Sequence, residues 1–181
     1  MGQVDRQVNR SRPSLVIPRG LEKALWEGLP IKSNVILISS DPKTGKIISR
    51  QYYHNIIVTS GKVLVAKMLT EDAIEGGENI GITYGEIGTG TNTPAITDVA
   101  LQTPTKRNAL SAYLRNSNIV QFRTFYAVAD CSVFVKEIGL FGGVAATSTI
   151  GTGSLFNRAA VSFDNSGGTK DLTVVVQTTF G

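Results

Sequence analysis

Histidine, cysteine and tryptophan occur once each in these 181 residues, as His54, Cys131 and Trp26. A lone cysteine rules out an internal disulfide and any thiolate-rich zinc site, and leaves Cys131 the role of a small buried apolar residue. A lone histidine thins out the catalytic options. His54 stands beside Tyr52, Tyr53 and Asn55 and reads as a strand-end residue rather than a base, and no G-x-S-x-G elbow accompanies it. Charged residues make up only 18% of the chain against 41% hydrophobic ones, a balance that supports a buried core. No apolar run reaches the roughly 20 residues of a membrane span. The opening "MGQVDRQVNRSRPSLVIPRG" lacks the apolar centre of a secretion signal, so assembly in a cytoplasm with no membrane partner is expected.

The glycine-rich stretch "GEIGTGTNTPAITDVALQT", Gly85 to Thr103, raises the question of a nucleotide phosphate loop. Such a loop needs converging N–H groups at a helix N-terminus, usually with a lysine. Gly85, Gly88 and Gly90 fit neither G-x-G-x-x-G nor G-x-x-x-x-G-K-[ST], and the Gly-Lys pairs at 45–46 and 61–62 continue with Ile47 and Val63. The stretch reads instead as a packed strap over a sandwich end. Gly88 and Gly90 would supply positive φ, Pro94 would stiffen the middle, Asp98 would cap the turn "DVALQ", and Leu101 would enter the core. Glu71, Asp72, Glu75 and Glu78 form an acidic loop without the D-x-D-x-D-G calcium pattern, and read as solvated surface. No catalytic residue, cofactor or metal ligand is therefore expected.

What the chain does have is an uneven charge. The first 23 residues hold Arg6, Arg10, Arg12, Arg19 and Lys23 against Asp5 and Glu22, a net +3 of the formal +4. Residues 1–30 read as a basic arm joined to a domain over 31–181. Leu15, Val16, Ile17, Leu21, Leu25 and Trp26 give the arm apolar anchors, so its expected contact is a neighbouring subunit. Nucleic acid is not expected, because no aromatics interleave with the basic residues. The candidate interface is Arg6, Arg10, Arg12, Leu15, Ile17, Arg19, Leu25 and Trp26.

Within the arm, Leu21–Glu27 could form a short helix stopped at Gly28. Beyond it, Val35–Ser39 and Lys46–Tyr52 predict a hairpin around the Asp41–Gly45 turn. Leu64, Val65, Met68 and Leu69 predict a helix near 60–70, with Thr59 or Ser60 as its cap. Glu75–Asn79 reads as a loop and hinge. From Gly81 onward the pattern is β. Leu110, Ala112 and Leu114 alternate, the run breaks at Asn116–Asn118, and it resumes with Val120, Phe122, Tyr126 and Val128. "ADCSVFV" reads as strand-like, and "SVFVKEIGLFG" is apolar on both parities, as a strand covered on both faces would be. Gly139 marks a bulge or a close approach. "SLFNRAAVSF" and "DLTVVVQTTF" add two strands around the turn "DNSGGTK". Short strands with little helix indicate an antiparallel sandwich or barrel. The expected fold is mainly β, an antiparallel jelly-roll-like β-sandwich with one or two short helices and an extended N-terminal arm.

Taken in order, Gly88–Thr91, Pro94, Asp98, Leu101 and Arg107, then Glu137, Gly139, Leu140 and Phe141, then Leu155 and Arg158, resemble a family of small structural proteins of tailed bacteriophages and prophages. The likeness covers roughly Tyr84 to Phe180, and "YYHNIIVTSGKVLVAKML" resembles a segment found upstream in such virion proteins. The long basic arm departs from that pattern. The resemblance implies a non-enzymatic virion subunit, tail- or fibre-associated or of head-decoration type, that meets other virion structural proteins and copies of itself. The rival reading is a glycan-binding sandwich module for host attachment. That module would need solvated aromatics, whereas Tyr84, Tyr113, Phe122, Phe125 and Tyr126 mostly fall at strand positions consistent with the core.

Overall fold

A computed structural model of the protein describes residues 31–68 and 81–181. The candidate arm residues, the Leu21–Glu27 helix, Leu69, the acidic residues Glu71, Asp72, Glu75 and Glu78 and the Glu75–Asn79 hinge lie outside the described residues. The order is β1 (Ile31–Ser40), β2 (Ile47–His54), β3 (Ile56–Ile57), helix α1 (Thr59–Met68), β4 (Ile82–Gly88), β5 (Pro104–Asn116), β6 (Ile119–Tyr126), a 3-10 turn at Val128–Asp130, β7 (Phe134–Gly142), β8 (Ser154–Asp164) and β9 (Asp171–Phe180). Every strand pairing is antiparallel, and the nine strands form one sheet in the order β2-β1-β9-β6-β5-β4-β7-β8-β3.

Long β5 is what makes this one sheet rather than two. Its first half pairs with β4 as far as Ala109, its second half pairs with β6 from Leu110, and the register shifts between Leu110 and Ala112. A strand bent at such a bulge belongs to two walls at once. The walls β2-β1-β9-β6-β5 and β5-β4-β7-β8-β3 close around a core that includes Val35, Leu37, Ile87, Tyr126, Ile138 and Val174. Phe122 of β6 meets Phe156 of β8 edge to face across it, with centroids 6.3 Å apart. The antiparallel, mainly β expectation holds, in the form of a nearly closed, barrel-like sheet.

One phenol marks the line where the sheet's ends approach. The Tyr53 hydroxyl of β2 donates to the Ser162 carbonyl of β8 at 2.9 Å and accepts from the Ser162 N–H at 3.2 Å. Beside it, β3 pairs with β8 at only two positions, Ile56 with Arg158 and Ile57 with Asn157. A side chain thus takes the place of a backbone ladder along part of the seam.

The strand periodicity explains most elements. In β1, Ser33, Val35, Leu37 and Ser39 are buried while the intervening residues are more open, as a period of two requires. The β1–β2 turn is held by the Asp41 carboxylate, which accepts from the Lys43 and Thr44 amides, with Gly45 at φ +68°. Residues 135 and 137–142 of β7 are buried on both parities, as its sequence suggests. Other expectations need correction. Gly85–Gly88 is strand β4, so the glycine-rich loop begins only at Thr89. β3 gives no sequence signal, being two residues long. Cys131 is fully buried but sits between the 3-10 turn and β7 rather than within a strand. Ala112 and Leu114 are exposed, because the register shift after Leu110 sets them opposite Arg123 and Gln121, on the face away from core-packed Leu110 and Phe122. Tyr113 and Phe125 are exposed as well, while Tyr126 is in the core.

Helix α1 lies on β8. Thr59 and Ser60 do not spend their hydroxyls on capping it: Thr59 donates to the Ile96 carbonyl at 3.0 Å and Ser60 to the Leu155 carbonyl at 2.7 Å. Leu64 is buried, and a Cβ at Gly61 would collide with the Phe156 carbonyl. Gly61 is therefore the contact point at which a helix can approach a strand backbone. Gly61→Ala should reverse the usual sign: it gains up to ~1 kcal/mol of helix propensity in isolation but should destabilise the protein, because backbone cannot yield as a side chain can. Chemical denaturation of the two proteins measures this, and a more stable alanine variant would contradict the packing described.

Candidate functional site

The outer face of the β5-β4-β7-β8 wall carries the chain's buried charge. Register aligns Arg107, Glu86, Gly139 and Arg158 across the four strands, flanked on one side by Tyr84, Phe141 and Leu155 and on the other by Gly88 and Glu137. Glu86, Arg107, Glu137 and Arg158 are all buried. Charges are almost never buried in this way unless paired. Each carboxylate here has an arginine, and each pair anchors a loop.

Glu137 anchors the strap over residues 89–103. Its Oε1 accepts from the Gly90 N–H at 3.1 Å and the Thr103 N–H at 2.6 Å, and its Oε2 from the Gln102 N–H at 2.9 Å. Arg158 reaches the same Oε2 through Nη2 at 2.6 Å and Nε at 3.2 Å. Its other guanidinium nitrogens extend the network, with Nη1 on Asp98 Oδ2 at 2.7 Å and Nη2 also donating to Asn92 Oδ1. Gln102 then accepts the Thr91 and Asn92 amides on its side-chain oxygen. A long connection without regular structure thus has its backbone donors satisfied by side chains.

Three details of the expected strap change. Gly88 and Gly90 do not adopt positive φ; a Cβ at Gly88 would come within 2.7 Å of Glu137 Oε1, and one at Gly90 would collide with the same oxygen. Their role is to admit the carboxylate. Asp98 does not cap the residues after it but closes the turn before it, accepting from Ala95 N–H at 2.8 Å. The strap crosses the outer face of the wall rather than a sandwich end. Leu101 is buried beside Phe141, Leu155 and Val58, and its Cδ2 would lie 3.0 Å from a Cβ at Gly139. Gly139 therefore leaves between Glu86 and Arg158 the space that Leu101 needs, the close approach its position in an apolar strand suggests.

Glu86 does the same for the 143–153 loop. Its Oε1 accepts from Arg107 Nη1 at 2.7 Å and from the Gly151 N–H at 2.7 Å, while Arg107 Nη2 donates to the Thr152 carbonyl at 2.8 Å. The guanidinium lies 4.6 Å from the Tyr84 ring centroid and 4.8 Å from that of Phe141, two cation–π contacts in a desolvated setting.

Glu137 and Arg158 are spent on backbone and on each other. Cys131 donates weakly toward carbonyls of Ala127 and Lys170 and accepts from Asn165, and burial pushes its thiol pKa up, away from the reactive thiolate. His54 is the exposed last residue of β2. Among the described residues no group of three or more His, Cys, Asp or Glu is placed to hold a metal, and no helix is long and apolar enough to cross a membrane. A groove of about 690 Å³ opens between α1, the strap and the 143–154 loop, where Val63, Leu64, Val99 and Val144 alternate with polar residues that include Thr59, Ser60, Lys67 and Asp98.

Sequence reasoning singled out Arg107, Glu137 and Arg158 through motif order, and Asp98 through motif order and as a turn cap, and the structure brings all four to one face. It missed Glu86, whose signal is its place one residue from Gly85 in a strand mistaken for loop. No protein-family model matches the chain, and no curated protein or solved structure matches it.

Two predictions test the anchors. Arg158→Leu strands Glu137 without a cation and should cost ~3–5 kcal/mol in denaturant unfolding, the usual loss when one member of a buried pair is removed. Glu137→Gln should also be destabilising, because both Glu137 oxygens only accept and the new amide nitrogen would face N–H donors of the strap or of Arg158. Native stability in either variant would mean that this network is not what holds the strap. The second concerns pH. Partial burial opposes ionisation of Asp98, but the Ala95 N–H and Arg158 together outweigh it and hold its carboxyl below the ordinary range. Its stabilisation is therefore complete above the unfolded value of about 3.9 and is lost as pH falls through the lower folded value. Hydrogen-exchange protection of the 90–103 amides should fall in that acid window, and Asp98→Asn should remove that component of the pH dependence.

Proposed function

We propose that the chain is a non-enzymatic structural subunit of a tailed phage particle, joining or covering other virion subunits in the tail, baseplate, fibre attachment region or head. The single observation that carries this reading is the use made of Asp98, Arg107, Glu137 and Arg158. The residues through which the sequence resembles the phage family are spent on fixing two long loops rigidly to a sheet, which suits a surface that must keep its shape when docked. Its jelly-roll-like aspect rests on treating the two walls as the two layers of a sandwich. Assembly takes place in the host cytoplasm and the protein resides in the virion. Its partners are other virion proteins and further copies of itself, with no cofactor and no nucleic acid.

The arm over residues 1–30 supplies the second contact in this reading. Ordering ~30 residues costs ~1–2 kcal/mol each, while exposed charge pairs return ~0–1 kcal/mol apiece, so its arginines cannot fix it alone. Burying Leu15, Ile17, Leu25 and Trp26 at ~1.5–3 kcal/mol each adds ~6–12 kcal/mol, and backbone pairing with a neighbour must hold the rest. Deleting residues 1–30 should leave residues 31–181 folded, by circular dichroism, but no longer stably incorporated into particles. Normal incorporation of the truncated chain would sink the role given to the arm. Electron microscopy of particles carrying a tagged full chain tests the function itself. Exposed Tyr52 and Tyr113 favour the glycan module as the rival, and retention of the chain on host-surface polysaccharide, with no tag on particles, would decide for it.

A further inference from the structure

Among the described residues, the second half of β5 is an unpaired sheet edge. Leu110–Asn116 pair with β6 on one side, and no described strand pairs with them on the other, since β4 leaves β5 after Ala109. Residues 111–118 are all exposed, Tyr113 at 77% and Leu114 at 59% on opposite faces. The edge is nevertheless firmly held from behind. β6 pairs with β9 along its whole length, and the Asn118 side chain and carbonyl both bond the Phe180 backbone at the hairpin tip. Along this stretch a row of backbone groups in extended conformation, with apolar side chains above and below, faces outward.

Soluble proteins ordinarily blunt such edges with lysine, proline or inward charge. The stretch "LSAYLRN" has none of these, and its one bulge sits where β5 parts from β4. The sheet's other long edge strand, β2, is treated differently, with Tyr53 bonded across to β8. The contrast singles out β5.

We propose that the Leu110–Asn116 edge pairs antiparallel with the same edge of a second copy of this chain, about a twofold axis beside Tyr113. Self-pairing is favoured by charge. The axis sets Tyr113 against Tyr113, Leu114 against Ala112 and Arg115 against Ser111, so the one charge in the stretch never meets its own copy. An isologous contact of this kind closes at two copies and joins two sheets into one. Aromatic and apolar residues then lie cross-strand from one another, the arrangement that stabilises antiparallel pairs. This names the surface through which repeated copies of the proposed virion subunit meet, and it rests on that reading for the presence of repeated copies.

Sedimentation velocity of the full chain over a concentration series, with the double variant Tyr113→Lys/Leu114→Lys beside it, tests the edge. The native chain should dimerise, and the variant's dissociation constant should rise at least tenfold while its circular dichroism and melting temperature stay near native. Because lysines can act on the fold, a second arm looks for a gain: Tyr113→Cys, at the axis, should yield a disulfide-linked dimer under mild oxidation, whereas Ala112→Cys, whose own copy lies diagonally across the pairing, and buried Cys131 alone should not. A native chain that stays monomeric at high concentration, a dimer indifferent to the lysines, or absence of a cross-link at position 113 would each overturn the inference. Entry into particles together with an indifferent dimer removes this inference alone. Dimerisation through the edge without entry into particles leaves it standing and removes the functional reading.

Discussion

Burying Glu86 and Glu137 on the outer face of a sheet is the constraint around which the rest of this structure is organised. An ionised carboxylate taken from water without a partner carries a penalty far larger than a domain's whole net stability of roughly 5–15 kcal/mol. Arg107 and Arg158 must therefore lie within reach, and the antiparallel register delivers them, one beside each carboxylate. Three of the four carboxylate oxygens also accept loop amides, while Glu86 Oε2 is buried without a hydrogen-bond partner, as is Arg107 Nε. Covering the wall with loops and burying its charges are thus one event: without the strap and the 143–153 loop these groups would be hydrated, and without these groups the loop donors would have no acceptors.

That coupling explains why a chain with only 18% charged residues concentrates four of them here. It also explains the small residues. Gly88 and Gly90 make way for Glu137, Gly139 makes way for Leu101, and Gly61 lets α1 touch the β8 backbone. Each is a close approach, and each lies on the covered side of the same wall. Among the described residues no loop covers the opposite wall, β2-β1-β9-β6-β5, in this way. Its outward residues include Tyr52, Leu114 and Phe125, exposed to solvent, and its margins are the Tyr53 seam and the free half of β5. Within the described residues, one wall is thus sealed by its own loops and the other is open.

Much of this was legible in one dimension. Alternation gave β1, β6, β8 and β9 and the hairpin turns between them, because a period of two in a half-buried strand is written directly into side-chain polarity. The double-sided burial of β7 was legible from its unbroken apolar run, and the helix at 59–68 from the spacing of Leu64, Val65 and Met68. β4 was not. Gly85 and Gly88 mimic a loop in composition, but they are glycine because Thr124 at the first, and the Thr103 carbonyl and Glu137 at the second, leave no room for a Cβ, neighbours that come from elsewhere in the chain. Likewise Leu110, Ala112 and Leu114 alternate like core residues, but a register shift after Leu110 turns the last two to the outward face, and alternation alone does not reveal such a bulge.

The sequence by itself therefore determined the local conformations, the lone buried thiol and the set of charged residues that recur in motif order, since these depend on chemistry within a few positions. Only the tertiary structure decided that the two walls form a single nearly closed sheet, that Glu86 joins Arg107 and Glu137 joins Arg158, and that half of β5 is left without a partner on one side. The reason is range. The carboxylate–arginine pairs connect residues 21 positions apart, registers such as β1 with β9 and β4 with β7 join segments farther apart still, and all are fixed by which partner satisfies a buried group, a condition that no short window of sequence contains.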